Sequence, residues 1–160
     1  MLGWHTGEMP QHTWSATALI ERAASVVHDR HLGDAHMGQV GCALVTDTGH
    51  LYLGVCIDVG SGMGFCAEHA AVAAMVTAGE SRVASIVAVW KDESGSIHVL
   101  PPCGRCREFL RQVDPDNVSC RVLLGPRKAV TLARLLPYHE WFSTTPAVRR
   151  LPQPPPAHVT

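Results

Sequence analysis

Apolar positions along the chain alternate between helical and strand-like spacing, and each change of period marks an element. From Trp14 onward Ile20, Ala23, Ala24, Val27 and His31 recur at helical spacing, with Glu21, Arg22, Asp29 and Arg30 on the other side. This predicts a first helix, with Ser15 or Thr13 available as its cap. Residues 40–46 and 51–57 are short β-prone runs separated by Asp47, Thr48 and Gly49, the pattern of a hairpin with a tight polar turn. Three glycines in residues 60–64 then exclude regular structure and suit backbone lying close to a ligand or another subunit.

A second helix is expected to open at Cys66. Ala67, Ala70, Ala71, Ala74, Met75 and Ala78 form its apolar stripe, and Gly79 is a natural stop. Residues 83–89 form a continuous apolar run suited to a central strand, and 97–100 read as a further short strand. A third helix follows Pro101-Pro102, with Cys106, Phe109, Leu110 and Val113 on one face and Asp114-Pro115 at its end. A strand over 120–124 and a short helix over 132–136 complete the pattern. The order predicts an α/β fold in three layers, α/β/α, around a mixed central sheet of about five strands. The hairpin is antiparallel, and the later crossovers favour parallel pairing.

With 160 residues the expectation is one domain, spanning 14–142. It is preceded by a loose or oligomer-docked arm over 1–13 and followed by a Pro-rich disordered tail over 143–160. The composition is 46% hydrophobic and 17% charged, that of a chain that folds. Thirteen Lys and Arg against fourteen Asp and Glu leave a net charge of -1, which gives no general attraction to nucleic acid or to an anionic membrane. A small neutral substrate fits better. No run approaches the roughly 18 apolar residues of a membrane span, and the N-terminal segment lacks an export pattern. The expected location is the cytoplasm, where the six cysteines would stay reduced.

The spacing of those cysteines carries the chemistry. Cys66 opens the second helix, and Cys103 and Cys106 form a Cys-x-x-Cys at the opening of the third. Helix N-termini favour thiolates, the form that binds zinc, so three sulfurs can meet there if both helices start at one sheet edge. Three protein ligands leave a tetrahedral position open to water, the feature that separates a catalytic zinc from a closed structural one. Glu68 lies about 200° round the helix from Cys66, so it can reach over the open face and carry protons instead of binding the metal. Arg105, between the two cysteines of the pair, can donate to the thiolates and withdraw charge from them.

Two other arrangements use the same residues. Cys66, His69, Cys103 and Cys106 would make a closed Cys₃His structural site, which leaves Glu68 as a first-turn acid and makes the chain a non-catalytic zinc-stabilised interaction module. The Cys-Gly-Arg-Cys pair would alternatively be a redox dithiol, a reading that leaves Cys66 and Glu68 without a role.

Cys66-Ala67-Glu68 followed by Pro102-Cys103-Gly104-Arg105-Cys106 resembles the zinc motifs of the cytidine deaminase superfamily, and cysteine as first ligand is similar to its nucleoside-deaminase branch. The stretches 19–23, 102–107 and 135–137 are similar to those of blasticidin S deaminases. The resemblance runs from about Leu19 to Trp141. It implies one zinc per subunit held by Cys66, Cys103 and Cys106, with Glu68 as proton shuttle. It also implies that the Ala67 N–H holds the ring carbonyl, that the Pro101 carbonyl faces the leaving amine, and that subunits assemble as tetramers, a dimer being the alternative.

Where the nucleoside deaminases carry an Asn and, two residues on, a Glu for the ribose, this chain has Cys56 and Asp58. Cys56 lacks the paired donor and acceptor of an amide, whereas Asp58 can still accept from a sugar hydroxyl. Phe65, Tyr138 and Trp141 are candidates for a wall that stacks on a flat ring, or for anchoring the C-terminal segment to the core. The implied activity is hydrolytic removal of an exocyclic amine, as ammonia, from a cytosine nucleoside or cytosine nucleoside antibiotic. The altered ribose pair leaves another amino-heterocycle as the alternative substrate.

Overall fold

The computed structural model describes residues 14–140. Its elements are α1 (Ala16–Ser25), β1 (Arg30–Leu32), β2 (Ala35–Thr46), β3 (Leu51–Asp58), α2 (Ala67–Thr77), β4 (Val83–Lys91), β5 (Ile97–Leu100), α3 (Gly104–Val113), a 3₁₀ turn (Pro115–Ser119), β6 (Arg121–Gly125), β7 (Lys128–Thr131) and α4 (Leu132–Leu135). The expected arm over 1–13 and tail over 143–160, with Trp141, lie outside the described residues.

The sheet is α/β/α as expected but has seven strands. Cys42 pairs with both Gly54 and Ala88, and Ser85 with both Val45 and Arg121, so the path across the sheet is β3-β2-β4-β6-β7. Short β1 and β5 share the long edges of β2 and β4. β3 and β4 both run antiparallel to β2 and therefore run the same way as each other; β4 and β6 pair in parallel. The α2 crossover joins the co-directional β3 and β4, but β2 sits between them, and α3 joins β5 to the oppositely directed β6, so parallel pairing is confined to β4 and β6 among the described pairs.

Helix α1 ends at Ser25, six residues short of His31, which lies in β1. The β-branched Val26 and Val27 disfavour continuation, the His28 N–H bonds the Gly38 carbonyl at 2.9 Å, and the chain turns back at Gly33, where φ is +58°. Ser15 is the cap, its side chain accepting from the Ala18 N–H at 3.1 Å. The strand β7 and the 3₁₀ turn carry no period long enough to read in sequence.

Alternation along β2 builds the two cores. Ala43 and Val45 face Leu19, Ile20, Ala23 and Ala24 of α1, while Cys42 and Leu44 face Ala67, Ala71 and Met75 of α2 and Leu110 of α3. Two glycines set the interlayer distance. A Cβ at Gly41 would lie 2.2 Å from the Ala23 carbonyl oxygen, and one at Gly54 would lie 2.4 Å from the Ala71 nitrogen, so α1 and α2 rest directly on strand backbone. The fully buried Asn117 ties the layers together: it accepts from the Val83 N–H at 2.7 Å and donates to the Ser81 and Leu110 carbonyls, each at 3.0 Å. Among the described residues no helix is long and apolar enough to cross a membrane.

Candidate metal centre and active site

Because β3 and β4 run the same way, β3 releases the chain toward α2 at the same sheet edge where β4 turns into β5. β5 comes back as far as Leu100, opposite Ala88, and the chain enters α3 from there. The two helix N-termini therefore meet. Cys66 is the N-cap of α2 and Cys103 the N-cap of α3, both with extended backbone, and Cys106 lies in the first turn of α3.

Cys66 Sγ is 3.8 Å from Cys103 Sγ, which is 3.5 Å from Cys106 Sγ, and the three sulfurs lie within 4.8 Å of one another. A tetrahedral zinc with Zn–S bonds of about 2.3 Å spaces its sulfurs by about 3.8 Å, so the donor set fits that ion. His69, the fourth ligand of the closed alternative, does not join this group. Its ring packs on Phe109 with centroids 4.3 Å apart, and its Nδ1 is 3.6 Å from Cys106 Sγ, within reach of a hydrogen bond to the sulfur.

The electrostatics differ from sulfur to sulfur. Burial and the neighbouring Glu68 push the Cys106 thiol up, and burial also raises Cys66. At Cys103 burial acts in the same direction, but the backbone N–H groups of Cys106 and Arg105 and the adjacent thiols outweigh it and hold this group below the ordinary thiol range. A divalent cation among the sulfurs would reverse the upward pushes and deprotonate all three.

Glu68 is 5% exposed in the first turn of α2. It borders a void of about 10 Å³ lined otherwise by Ile86, Val87, Ala88, Pro102, Val122 and Leu123. Burial among these apolar groups raises its pKa, against the smaller stabilising pull of its own N–H and the Cys106 thiol.

Arg105 takes a partner other than the expected thiolates: its Nη1 donates to the Gly64 carbonyl at 3.2 Å, which fastens the glycine segment to α3. That segment also closes on β3, because the Phe65 N–H bonds the Ile57 carbonyl at 2.9 Å and the Ile57 N–H bonds that of Phe65 at 3.0 Å. Cys56 is 5% exposed and packed in the core beneath α2, its sulfur 3.3 Å from the Val40 N–H and 3.5 Å from Gln39 Oε1. Of the Cys56 and Asp58 pair, only Asp58 is exposed. Ala67 is buried, Pro101 exposed and Phe65 half-buried, while Tyr138 is fully exposed. Sequence reasoning missed Arg107, whose Nε donates to the Pro102 carbonyl at 2.8 Å and Nη1 to that of Leu135 at 2.9 Å, bracing the loop that carries Cys103. A charged residue one step past the Cys-x-x-Cys carries no signal that it turns back on the preceding loop.

A family model described as the cytidine and deoxycytidylate deaminase zinc-binding region matches residues 15–122. Blasticidin-S deaminase of Bacillus cereus is 37% identical over 103 residues, 61% of this chain and 74% of that protein. Cytidine deaminase of Mycobacterium tuberculosis H37Rv is 34% identical over 112 residues, 69% of this chain and 79% of that one. The crystal structure of cytidine deaminase from Mycobacterium leprae superposes with a TM-score of 0.60 at 27% identity, covering 76% of this chain and 96% of that one. Fold and site thus define a hydrolytic deaminase that acts on C–N bonds and carries a zinc-binding region. The chain belongs to the cytidine and deoxycytidylate deaminase family.

Proposed function

We propose that the protein removes the exocyclic amine of a cytosine nucleoside, or of a cytosine nucleoside antibiotic, and leaves a carbonyl and ammonia. The observation that carries this reading is the meeting of three sulfurs at two helix N-termini beside a buried carboxyl group of raised pKa. Cys66, Cys103 and Cys106 would hold one zinc per subunit, which when bound supplies a Lewis acid and a water acidified toward neutral pH.

Glu68 takes a proton from the attacking water and passes it to the ring nitrogen; it then takes the proton of the hydroxyl now bonded to the carbon and hands it to the amine, so that the carbonyl forms as the C–N bond breaks and ammonia leaves. Its burial suits this work, since a carboxyl group of raised pKa exchanges protons near neutral pH more readily than an exposed one. By the family resemblance the Ala67 N–H, at the start of α2, would bind the ring carbonyl, and the Pro101 carbonyl would accept from the leaving amine. Phe65, joined to Ile57 by two backbone hydrogen bonds and next to Cys66 in the chain, would flank the ring. Asp58, exposed at the end of β3, would accept from a sugar hydroxyl.

The burial of Cys56 favours a second reading, in which the substrate is an amino-heterocycle without a ribose. An ammonia-release screen of the zinc-loaded protein against cytidine, deoxycytidine, cytosine, blasticidin S and aminopurines separates the two. Turnover of nucleosides supports the first, turnover of free bases alone supports the second, and silence across the panel rejects both. Glu68→Gln is expected to keep stoichiometric zinc and the fold while losing turnover; full activity in that variant rejects the proton-carrying role. Assembly as a homo-oligomer suits the exposed Leu32, Met63 and Val76, and light scattering gives the subunit number. The six free cysteines suit a reducing compartment such as the cytoplasm.

A further inference from the structure

A second group of metal-ligating side chains lies on the β1–β2 hairpin, outside the cysteine site. The residues flanking the turn, Leu32 and Ala35, pair across Gly33 and Asp34, with Gly33 at φ +58° as the first of the two turn residues. The next pair outward is His31 opposite His36. Directly opposed residues of an antiparallel ladder share a face, so both imidazoles stand on the same side.

Their rings stack with centroids 3.6 Å apart and planes inclined by 23°. Asp29, two residues before His31 and on the same face, closes over them, its Oδ1 2.5 Å from His36 Nε2. One ligand atom from each of Asp29, His31 and His36 lies within 4.8 Å of the other two. The ladder continues the row, because His36 also pairs with Asp58 on the other edge of β2. Arg30, the nearest cation in sequence, occupies the alternate register and directs its Nη2 at Met37 Sδ, 3.8 Å away. The face therefore presents two imidazoles beside Asp29, with Asp58 at the next ladder position and the Gln39 amide nitrogen also against the His36 ring, 2.6 Å from its Nε2, where an ion would displace it.

We propose that Asp29, His31 and His36 form a binding site for a divalent first-row transition-metal ion, separate from the cysteine site. Two imidazoles and one carboxylate are a donor set suited to zinc, nickel, copper or iron and leave further positions for water. Ligands about 2.0–2.2 Å from a tetrahedral ion stand about 3.3–3.5 Å apart. The ligand atoms already lie within 4.8 Å of one another, so binding requires the stacked rings to turn toward a common ion and the Asp29 contact to lengthen by about 1 Å. Such an ion would cross-link a three-residue strand that is exposed throughout to the longest strand of the sheet, next to the end of β3 from which the glycine segment departs.

The full-length protein, with its cysteine site loaded, is dialysed against micromolar zinc and its metal content measured. The native chain is expected to hold a second equivalent, and His31→Gln and His36→Gln, at positions that are exposed or half-exposed, are each expected to lose that equivalent and keep the first. Titration with Ni²⁺, whose paramagnetism broadens nearby amide signals, is expected to affect residues 29–37 in the native chain and to spare them in both variants. A native chain that stops at one equivalent, or a second equivalent that survives both substitutions, overturns the proposal and leaves Asp29 and His36 as a simple ion pair.

Discussion

Replacing Gly54 with alanine tests whether the seating of α2 on β3 sets the geometry of the site. The added Cβ would lie 2.4 Å from the Ala71 nitrogen, 2.6 Å from the Ala67 oxygen and 2.8 Å from the Ala70 Cβ, where ordinary contacts begin at 3.4 Å. Two of these neighbours are helix backbone and cannot rotate away, so α2 must retreat by about 1 Å, the gap between 2.4 and 3.4 Å. Overpacking of this kind costs about 1–3 kcal/mol, which for a domain of this size lowers Tm by roughly 2–12 °C. The clash falls on the first turn of α2, which carries Glu68 and follows Cys66 directly. A misplacement of about 1 Å at a reacting group costs on the order of 100-fold in rate. Thermal unfolding, zinc content and ammonia release on the best substrate of the screen measure the three consequences. If Gly54→Ala unfolds within 1 °C of the native protein and turns over at its rate, the claim that close helix–strand approach positions Glu68 is refuted.

Asn117→Ala removes three hydrogen bonds at once and strands the buried Val83 N–H; at about 1–3 kcal/mol for each buried group left unsatisfied, a loss of about 3 kcal/mol is expected in urea titration, and a loss below about 1 kcal/mol would contradict the assignment. His69→Ala is expected to keep zinc, because the three sulfurs already form the ligand group, and to lower turnover through the lost contact with Cys106; loss of the metal would instead favour the closed Cys₃His site. At Glu80 burial works upward, yet hydrogen bonds from Thr48, Tyr52, Thr46 and His50 prevail and hold the carboxyl group down at about 2, against an ordinary value of 4.5. A depressed folded-state pKa stabilises above the unfolded value, so this contribution is present above pH 4.5 and is lost as pH falls toward 2. Native protein and Glu80→Gln, compared by thermal unfolding across that window, should converge as the pH drops; a constant difference would show that Glu80 contributes nothing through its charge.

Much of the site was legible because its signals are local. A cysteine ahead of an alanine stripe and a cysteine after Pro101-Pro102 both mark helix starts, and the structure makes both of them N-caps. Helix initiation depends on a few neighbouring residues, so it survives reading without a partner. The ten residues of α1 were likewise readable, except for their end, where the His28 bond to Gly38 and the pairing of β1 from Arg30 onward took His28 to His31 out of the helical period.

What the sequence determined alone is therefore which groups are candidates for the site, three sulfurs as ligands and one carboxyl group beside them, and the elements that carry them. Tertiary structure decided the rest: that β2 lies between β3 and β4, that Cys56 turns inward beneath α2, that Arg105 reaches Gly64 instead of the sulfurs, and that His31 stacks on His36. Each of these depends on which strand edge or helix face meets which. Such pairings are chosen by the whole sheet and its two cores together, and they leave no periodic trace in any one segment.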